Sequence, residues 1–510
     1  MTSTWLMYIW VYSFVYDGVI SQLENRVEFL FNTFQEVRVD ENETVQAVVS
    51  RIPIEVAFIT VQFHTQRDNV TLSYTRIPMQ GLYLTAVDSG LLSPLQPDQT
   101  ELSWFLMAPD GHSVAGTGVI LPYTSSDPVP GACNLEFDLD IDPNVYLHYN
   151  LFETTIHFAP ANLGYSRGSN PPPCDTDMGE NTRWRLRYDI YRYFLPENDL
   201  SDPSLITSIQ SVANVQSMKD HGKRLMTLLS ADKTEVVFSS IPGQGVVYSV
   251  IVRDPVLNTT SSYIPVHTYA CSFTSTLDGC DMLGKISTKI FFTITGLAGL
   301  FVCFFGHRFF KCELFCMGFG FAAFFFFVLI TRSTNLDYDS DVEVFRSDLV
   351  FWVTFSCIVM VVPIFFVRWP REGNIVTCGV VGAYAVVLAV NAYVYTSLSY
   401  ITLNILKRFL NNNFSKAFTD VPFQDIDFVM VTVWAVLGIS GITLQLCRER
   451  TRPFFPPSPY LMWQRERERR RTNVLDPSHH TPSLRSRLLA HAWLLTGRPE
   501  PAGERTPLLL

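Results

Sequence analysis

The chain has 510 residues, a formal net charge of −10 and 47% hydrophobic residues, including 39 Phe. This length allows several domains, and the composition is unusual for a soluble protein. The long apolar runs lie almost entirely in residues 286–446, so the sequence predicts a soluble half followed by an α-helical polytopic membrane domain. We expect no nucleic-acid partner.

The first apolar run, "WLMYIWVYSFVY" (residues 5–16), has the length of a secretory signal peptide. Val19 and Ser21 offer small residues for cleavage, so residues 1–21 are predicted to be a signal peptide. The run has no basic start, which leaves an uncleaved anchor or an incorrectly assigned start as alternatives.

Residues 22–285 contain short alternating runs between turn signals, which predict a lumenal or extracellular, β-rich and sandwich-like domain. Two sandwiches are an option, at about 22–125 and 126–270. The runs "EVAFITVQFHT" and "TLSYTRI" are predicted to form a hairpin around "QRDNV". A helix is predicted at "SDPSLITSIQSV", with Ser201 as its N-cap and Pro203 in its first turn.

The stretch "CNLEFDLDIDPN" (residues 133–144) alternates acidic and apolar residues, which predicts a strand with one acidic face. A helix-loop-helix calcium loop is excluded, because neither frame has Gly and Glu at the required positions. No metal or cofactor is expected, and weak metal candidates are the four carboxylates Glu136, Asp138, Asp140 and Asp142.

A basic stretch downstream could face the acidic strand. In "RWRLRYDIY", Arg183, Arg185 and Arg187 would share one face of a second strand. Cross-strand pairs with Asp138 and Asp140 would contribute about 0.2–1 kcal/mol each. Plain solvation of the carboxylates and a calcium site remain the alternatives.

Covalent features fit an oxidising, sugar-modifying compartment. Four cysteines allow two disulfides, and sequence order favours Cys133 with Cys174 and Cys271 with Cys280 over the other connectivities. Glycosylation triplets occur at Asn42, Asn69, Asn258 and Asn413.

Five apolar runs are long enough to cross about 30 Å of hydrocarbon as helices. They lie at about 290–305, 312–330, 349–367, 375–398 and 428–446. Their middles carry no charged residue, whereas helices of a globular core alternate polar and apolar faces. The sequence therefore predicts a multi-pass membrane protein.

Basic residues at 306–313, 368–374 and in the tail at 447–510 predict that these parts are cytoplasmic and that the N-terminus is outside. The connection 399–427 is the exception, since it places Lys407, Arg408 and Lys416 outside. The plasma membrane or the secretory and endolysosomal pathway is the expected location.

The predicted spans contain few polar or helix-kinking residues of the kind that line a transport pathway. Asn391 and Pro363 are the candidates, and Asn391 is expected to bond a neighbouring helix. Two pairs of small residues four positions apart, Gly318 with Ala322 and Gly379 with Ala383, suggest close helix packing. The sequence has no Gly-rich phosphate loop, nucleophile elbow or His-Glu-x-x-His motif, so no catalytic residue is predicted.

The tail contains two candidate contacts. "QRERERRR" (residues 464–471) could lie against anionic membrane lipid or be a solvated charge run. In "ERTPLLL", Glu504 precedes Leu508 and Leu509 in the arrangement of an acidic dileucine signal, which implies adaptor proteins as partners.

From about Asp127 onward the chain resembles the seven-span family called transmembrane-seven superfamily member three. The resemblance rests on "CNLEFDLDIDPN", "FETTIHFAPANLGYSRG", "FLPENDL", "CFFGHRFF", "FWVTFSC", "SLSYITLNILKR", "GITLQ", "RPFFPPSPY" and "ERTPLLL". It implies roles in protection from stress-induced cell death, the unfolded-protein response and insulin secretion. It also implies seven spans where five are predicted, with the difference between Ile330 and Phe351.

Two functional hypotheses follow. In the first, the protein is non-enzymatic, its outer domain senses or binds an unknown extracellular ligand or protein, and its tail sets trafficking. In the second, it is a subunit of a transporter or channel and the helical half carries the activity.

Overall fold

The computed structural model describes most of the β-rich half and parts of the helical half. The described residues are 26–273 (without 42, 151, 176, 178, 180 and 197–198), 280, 286–309, 369–410 (without 395), 417–419, 424–450 and 459–472. Strands fill the first part and apolar helices the second, as the sequence predicts.

The first unit is a sandwich of two sheets. Its strands are β1 Arg26–Glu28, β2 Gln35–Val39, β3 Thr44–Ser50, β4 Val56–His64, β5 Val70–Ser73, β6 Tyr83–Ala86, β7 Asp88–Pro94, β8 Glu101–Met107 and β9 Val114–Thr124. The sheet orders are β1-β3-β8-β5-β6 and β2-β9-β4-β7. Ile59, Leu91 and Trp104 are fully buried in the core between them.

The predicted hairpin of β4 and β5 is wrong. β4 pairs with β7 and β9, whereas β5 pairs with β6 and β8 in the other sheet. Every residue of β4 is buried, so both faces of this strand are covered, and it has a neighbouring strand on each edge.

The second unit is also a sandwich. Its strands are β10 Val145–Tyr149, β11 Glu153–Phe158, β12 Arg187–Phe194, β13 Lys223–Leu229, β14 Glu235–Ser239, β15 Val246–Asp254, β16 Thr259–Ser262 and β17 Val266–Thr268. One sheet is β10-β11-β14; the other is β13-β12-β15-β16, with β17 also paired to β15. Phe158 contacts the rings of Tyr188 and Tyr263 in the core, at centroid distances of 5.4 and 4.9 Å.

Two helices cover the outer face of the larger sheet. Helix α1 (Asp202–Gln210) has Ser201 at its N-cap position and Pro in its first turn, as predicted. Helix α2 (Val215–His221) was not predicted, because it is only seven residues long. Leu205, Ile209 and Met218 pack against Val247 of β15.

The helical half contains α3 (Ile286–Phe305), α4 (Pro370–Asn391), α5 (Tyr400–Leu410), α6 (Asp425–Glu449) and α7 (Pro459–Thr472). In the described part, three helical stretches are long and apolar enough to cross a membrane: Lys289–Phe309, Arg371–Asn391 and Asp425–Glu449. They correspond to the first, fourth and fifth predicted spans. The predicted spans 312–330 and 349–367 lie outside the described residues.

Helix α4 ends at Asn391, seven residues before the predicted end. The Asn391 carboxamide oxygen accepts hydrogen bonds from the backbone N and the hydroxyl of Thr396, at 2.7 and 2.8 Å. This side chain therefore stabilises the turn after its own helix, whereas a bond to a neighbouring helix was expected.

Glycines allow α3, α4 and α6 to pack closely. A Cβ at Gly382 would lie 2.5 Å from Cys303 N and 2.6 Å from Gly299 O. A Cβ at Gly379 would lie 2.5 Å from Ile442, and Ala383 is fully buried. The predicted close packing at Gly379 and Ala383 is thus present in the structure, whereas Gly318 and Ala322 lie outside the described residues.

Candidate functional site

The acidic segment is not a strand. Residues 135–141 form bends, and β10 begins only at Val145. The Asn134 side chain accepts from the backbone N of Glu136 and Phe137 and donates to the carbonyls of Phe137 and Leu139. Such local bonds replace the ladder that an alternating pattern predicts.

The four carboxylates of this segment do different things. Glu136 lies 3.2 Å from His157 Nε2, while Asp138 and Asp140 are exposed. Asp142 is buried and accepts from Tyr146 OH at 2.6 Å. Burial raises the pKa of Asp142. No group of three His, Cys, Asp or Glu side chains among the described residues could hold a metal ion.

The predicted basic strand face does not form either. The first two arginines lie in a 3₁₀ turn, Arg183–Arg185, and Arg187 begins β12. The turn breaks the two-residue alternation, and its last arginine forms an ion pair with Asp254. The predicted pairing with Asp138 and Asp140 is therefore wrong.

A cleft of about 320 Å³ separates the acidic segment from the first sandwich. Tyr74, Leu92 and Leu139 supply apolar walls, and Asp140 supplies a carboxylate. The Tyr74 hydroxyl donates to the Leu92 carbonyl at 2.7 Å, which fixes that wall. The cleft therefore suits an apolar group that carries a positive charge.

The surface around the cleft is also apolar and acidic. Leu135 of the segment is 87% exposed. The loop of Ile77 and Met79, which are 76% and 51% exposed, reaches the segment at Gly81, where a Cβ would lie 3.4 Å from the Asp138 carbonyl. Exposed apolar side chains in such a group commonly mark interaction sites.

The end of the acidic segment joins the two sandwiches. Asn144 Oδ1 accepts from Gly90 N and Asn144 Nδ2 donates to Gly90 O, both at 2.9 Å. The Pro143 carbonyl accepts from Ile264 N at 2.9 Å. The segment thus connects β7 of the first unit with the second unit.

A buried His–Asp–His group lies at the same interface. Asp88 Oδ1 is 2.7 Å from His64 Nδ1, and Asp88 Oδ2 is 2.8 Å from His267 Nδ1. Burial alone would raise the pKa of Asp88, but the charges and hydrogen bonds of both histidines hold it below its ordinary range. The pKa of His267 is raised by Asp88 although burial opposes this.

The connection between α4 and α6 is anchored on the second sandwich. Lys407 of α5 donates to Ser239 Oγ at 3.1 Å and to the Ser240 carbonyl at 2.7 Å. Phe418 N donates to Val237 O, and Phe418 O accepts from Ser239 N, so Phe418 extends the edge of β14. Burial lowers the pKa of Lys407 to about 8.

A second cluster of polar side chains lies near Phe305, at the C-terminal end of α3. Gln445 of α6 donates to the Cys303 carbonyl at 2.6 Å and accepts from His307 N at 3.3 Å. Asn374 of α4 lies 3.0 Å from His307 Nδ1. These bonds connect all three apolar helices.

Some of the remaining predicted site residues lie within the described part of the chain, and the others lie outside it. Disulfides join Cys133 to Cys174 and Cys271 to Cys280, the pairing that sequence order favours. Asn69 and Asn258 are exposed in loops. Outside the described residues lie Asn42, Asn413, Glu504, Leu508 and Leu509.

Several residues of these junctions were not predicted from sequence. His64 ends the apolar strand β4, which is a local sign of a special role, but nothing in the sequence links it to Asp88 or His267. Lys407 did leave a signal, because it violates the basic-residue rule for connections outside the membrane. In the structure this lysine is buried against the second sandwich.

Family comparisons match the same architecture. Residues 25–123 match the TM7SF3-like, N-terminal immunoglobulin-like domain, and residues 128–274 match the TM7SF3-like, second immunoglobulin-like domain. Residues 292–350 and 343–446 match the TM7S3/TM198-like domain.

Relatives cover almost the whole chain. Transmembrane 7 superfamily member 3 of Homo sapiens is 47% identical over 541 residues, covering 96% of this chain and 95% of its own length. The Mus musculus protein is 48% identical over 538 residues, covering 95% of each. The chain belongs to the transmembrane 7 superfamily member 3 family.

As a member of the transmembrane 7 superfamily member 3 family, the chain is a membrane protein with two immunoglobulin-like domains before its helical membrane domain. The 541 aligned positions exceed its 510 residues, so the human relative has segments without a counterpart here. A β-1,2-glucanase structure from Parabacteroides distasonis aligns at 12% identity, covering 46% of this chain and 32% of its own. Its TM-score is 0.14, which does not establish a common fold.

Proposed function

We propose that this member of the transmembrane 7 superfamily member 3 family is a non-enzymatic multi-pass receptor whose ectodomain binds a partner and passes the event to the helices. One observation carries the proposal: the connection between α4 and α6 is hydrogen-bonded to the second immunoglobulin-like domain through Lys407 and Phe418. A displacement of that domain would therefore act directly on two apolar helices.

The cleft beside the acidic segment is the binding site in this proposal. Asp140 lines it, Asp138 is exposed nearby, and Leu135 and Ile77 offer apolar contact. Complementarity of charge and polarity points to a protein or peptide with a basic, apolar segment. Such a partner would gain both hydrophobic burial and electrostatic steering.

The cellular role proposed is the one that the family resemblance implies, namely protection from stress-induced cell death, with links to the unfolded-protein response and insulin secretion. The β-rich half would lie in the lumen or outside the cell, with sugars at Asn69 and Asn258, and the arginine-rich tail would lie in the cytosol. Protease protection in sealed microsomes tests this arrangement: digestion from the cytosolic side should remove the tail and spare the immunoglobulin-like domains.

The decisive experiment separates binding from coupling. Cells that lack the protein are given the full-length chain, and survival under unfolded-protein stress is measured. The variant Asp138→Lys/Asp140→Lys should lose protection because the binding charge is reversed. Phe418→Asp should lose it because a carboxylate would replace a half-buried ring that packs on Phe238 beside the edge pairing. The matched control Asp220→Lys, on the exposed surface of α2, should keep protection. Full protection by both test variants would contradict the proposal.

A transporter or channel subunit is the second candidate. The observation that favours it is the buried polar group of Gln445, His307 and Asn374 between the apolar helices. Under this hypothesis Gln445→Leu abolishes protection while Phe418→Asp spares it. Under the receptor hypothesis Phe418→Asp abolishes protection.

A further inference from the structure

The tail helix α7 exposes a run of large apolar side chains. Tyr460, Leu461, Met462 and Trp463 are 67%, 47%, 55% and 55% exposed. Four such residues in succession are unusual on a helix in water, since an amphipathic helix normally buries its apolar residues. Their exposure indicates a surface that another phase or molecule covers.

Basic side chains continue directly from this run. The Tyr460 and Trp463 rings lie 6.1 Å apart, and the Arg467 guanidinium lies 5.2 Å from the Trp463 ring centroid. Arg465 and Arg467 are exposed, and Arg469 pairs with Glu466 at 3.1 Å. The sequence of α7 has five Arg and two Glu, so the helix is net positive.

Helix α7 is tethered close to the end of the last apolar helix. Helix α6 ends at Glu449, where Arg448 lies 5.0 Å from the Phe305 ring of α3. Nine residues, 450–458, lie between Glu449 and Pro459. Even fully extended, this stretch spans at most about 35 Å. The bilayer surface is therefore within reach of the whole helix.

We propose that α7 lies on the surface of its own bilayer, with its aromatic end among the headgroups and its arginines on anionic lipid. Charge complementarity and continuity with α6 point to this occupant. Aromatic residues favour the headgroup level, and arginines are attracted by anionic headgroups. The inference goes beyond the proposed receptor function, because it does not depend on what the ectodomain binds.

The test uses the full-length chain in lipid nanodiscs, which leave both membrane faces accessible. Hydrogen exchange of residues 459–472 is measured in discs of phosphatidylcholine alone and in discs that also contain phosphatidylserine. Exchange should be at least about fivefold slower in the anionic discs, the effect of roughly one arginine near such a surface. High salt should remove the difference, because it screens surface charge.

Variants separate charge from helix formation. Arg465→Gln/Arg467→Gln/Arg469→Gln should exchange equally fast in both lipids, whereas the matched triple change to Lys should keep the anionic effect. Equal exchange of the unaltered protein in both lipids would overturn the proposal. The proposal would also be overturned if soluble inositol hexakisphosphate slowed exchange in phosphatidylcholine discs as much as phosphatidylserine does. That result would identify a site for free phosphate groups.

Discussion

Asp88 of the first immunoglobulin-like domain accepts a hydrogen bond from the backbone N of His267 in the second domain, at 2.8 Å. The same carboxylate oxygen lies 2.8 Å from the Nδ1 atom of the His267 ring. Both side chains are almost completely buried. The contact between the two domains therefore depends on the protonation of a buried acid and a buried base.

This pair predicts a stability maximum in mildly acidic solution. The pKa of His267 is raised above 6.5, so its contribution is complete below pH 6.5 and is lost as the pH rises through the raised pKa. The pKa of Asp88 is lowered from 3.8, so its contribution is complete above pH 3.8 and is lost as the pH falls towards the lowered pKa. The melting temperature of the full-length protein should peak between these values.

The control for the pH profile is a change at the acid itself. Asp88→Asn should lower the free energy of unfolding by about 3–5 kcal/mol, as loss of one partner of a buried pair does, and should flatten the profile. His148→Gln, at an exposed histidine, should leave it unchanged. A melting temperature that rises steadily from pH 6 to pH 9 would contradict the prediction.

Asn144→Ala should weaken the same interface through hydrogen bonding alone. It removes two bonds to the buried backbone of Gly90 and one to Asp142 Oδ1, and leaves the Gly90 groups without their partner. The expected loss is about 2–4 kcal/mol in the free energy of unfolding, measured by denaturant titration. Asn170→Ala, at an exposed asparagine, should change it by less than about 0.5 kcal/mol. Equal effects of the two changes would show that the Asn144 bonds do not stabilise the interface.

The two disulfides should contribute unequally. Cys133 and Cys174 are 41 residues apart, and Cys271 and Cys280 are 9 apart. Chain entropy predicts losses of about 4 and about 2.5 kcal/mol when each pair is replaced by alanines, because the longer loop restricts the unfolded chain more. Denaturant unfolding of the two double variants measures the difference, and the reverse order would refute the entropic account.

Gly382→Val should separate the apolar helices. The added Cβ would lie 2.5 Å from Cys303 N and 2.6 Å from Gly299 O, so backbone must move. Overpacking of this kind costs at least about 1–3 kcal/mol. We expect a lower melting temperature in detergent, whereas Val381→Leu, at a side chain that is 57% exposed, should be neutral. Unchanged melting of the Gly382 variant would mean that α3 and α4 do not pack closely there.

The alternating patterns led to partly correct predictions. They identified a strand-rich half with two sandwiches as an option. The acidic segment follows the same alternation but forms bends, because the Asn134 side chain bonds the backbone locally. Similarly, the strand pattern in "RWRLRYDIY" holds only from Arg187 onward. Periodicity reports which residues could share a face, and it does not report whether a partner strand is available.

The sequence by itself indicated the apolar helices and the β-rich half before them, and it favoured the pairing of the cysteines that the structure contains. Hydropathy and loop closure depend on residues that are close along the chain. Only the tertiary structure decided that Asp88 meets His267 across 179 positions and that Lys407 is buried against Ser239 across 168. Such contacts arise when separate units pack together, and no local pattern encodes them.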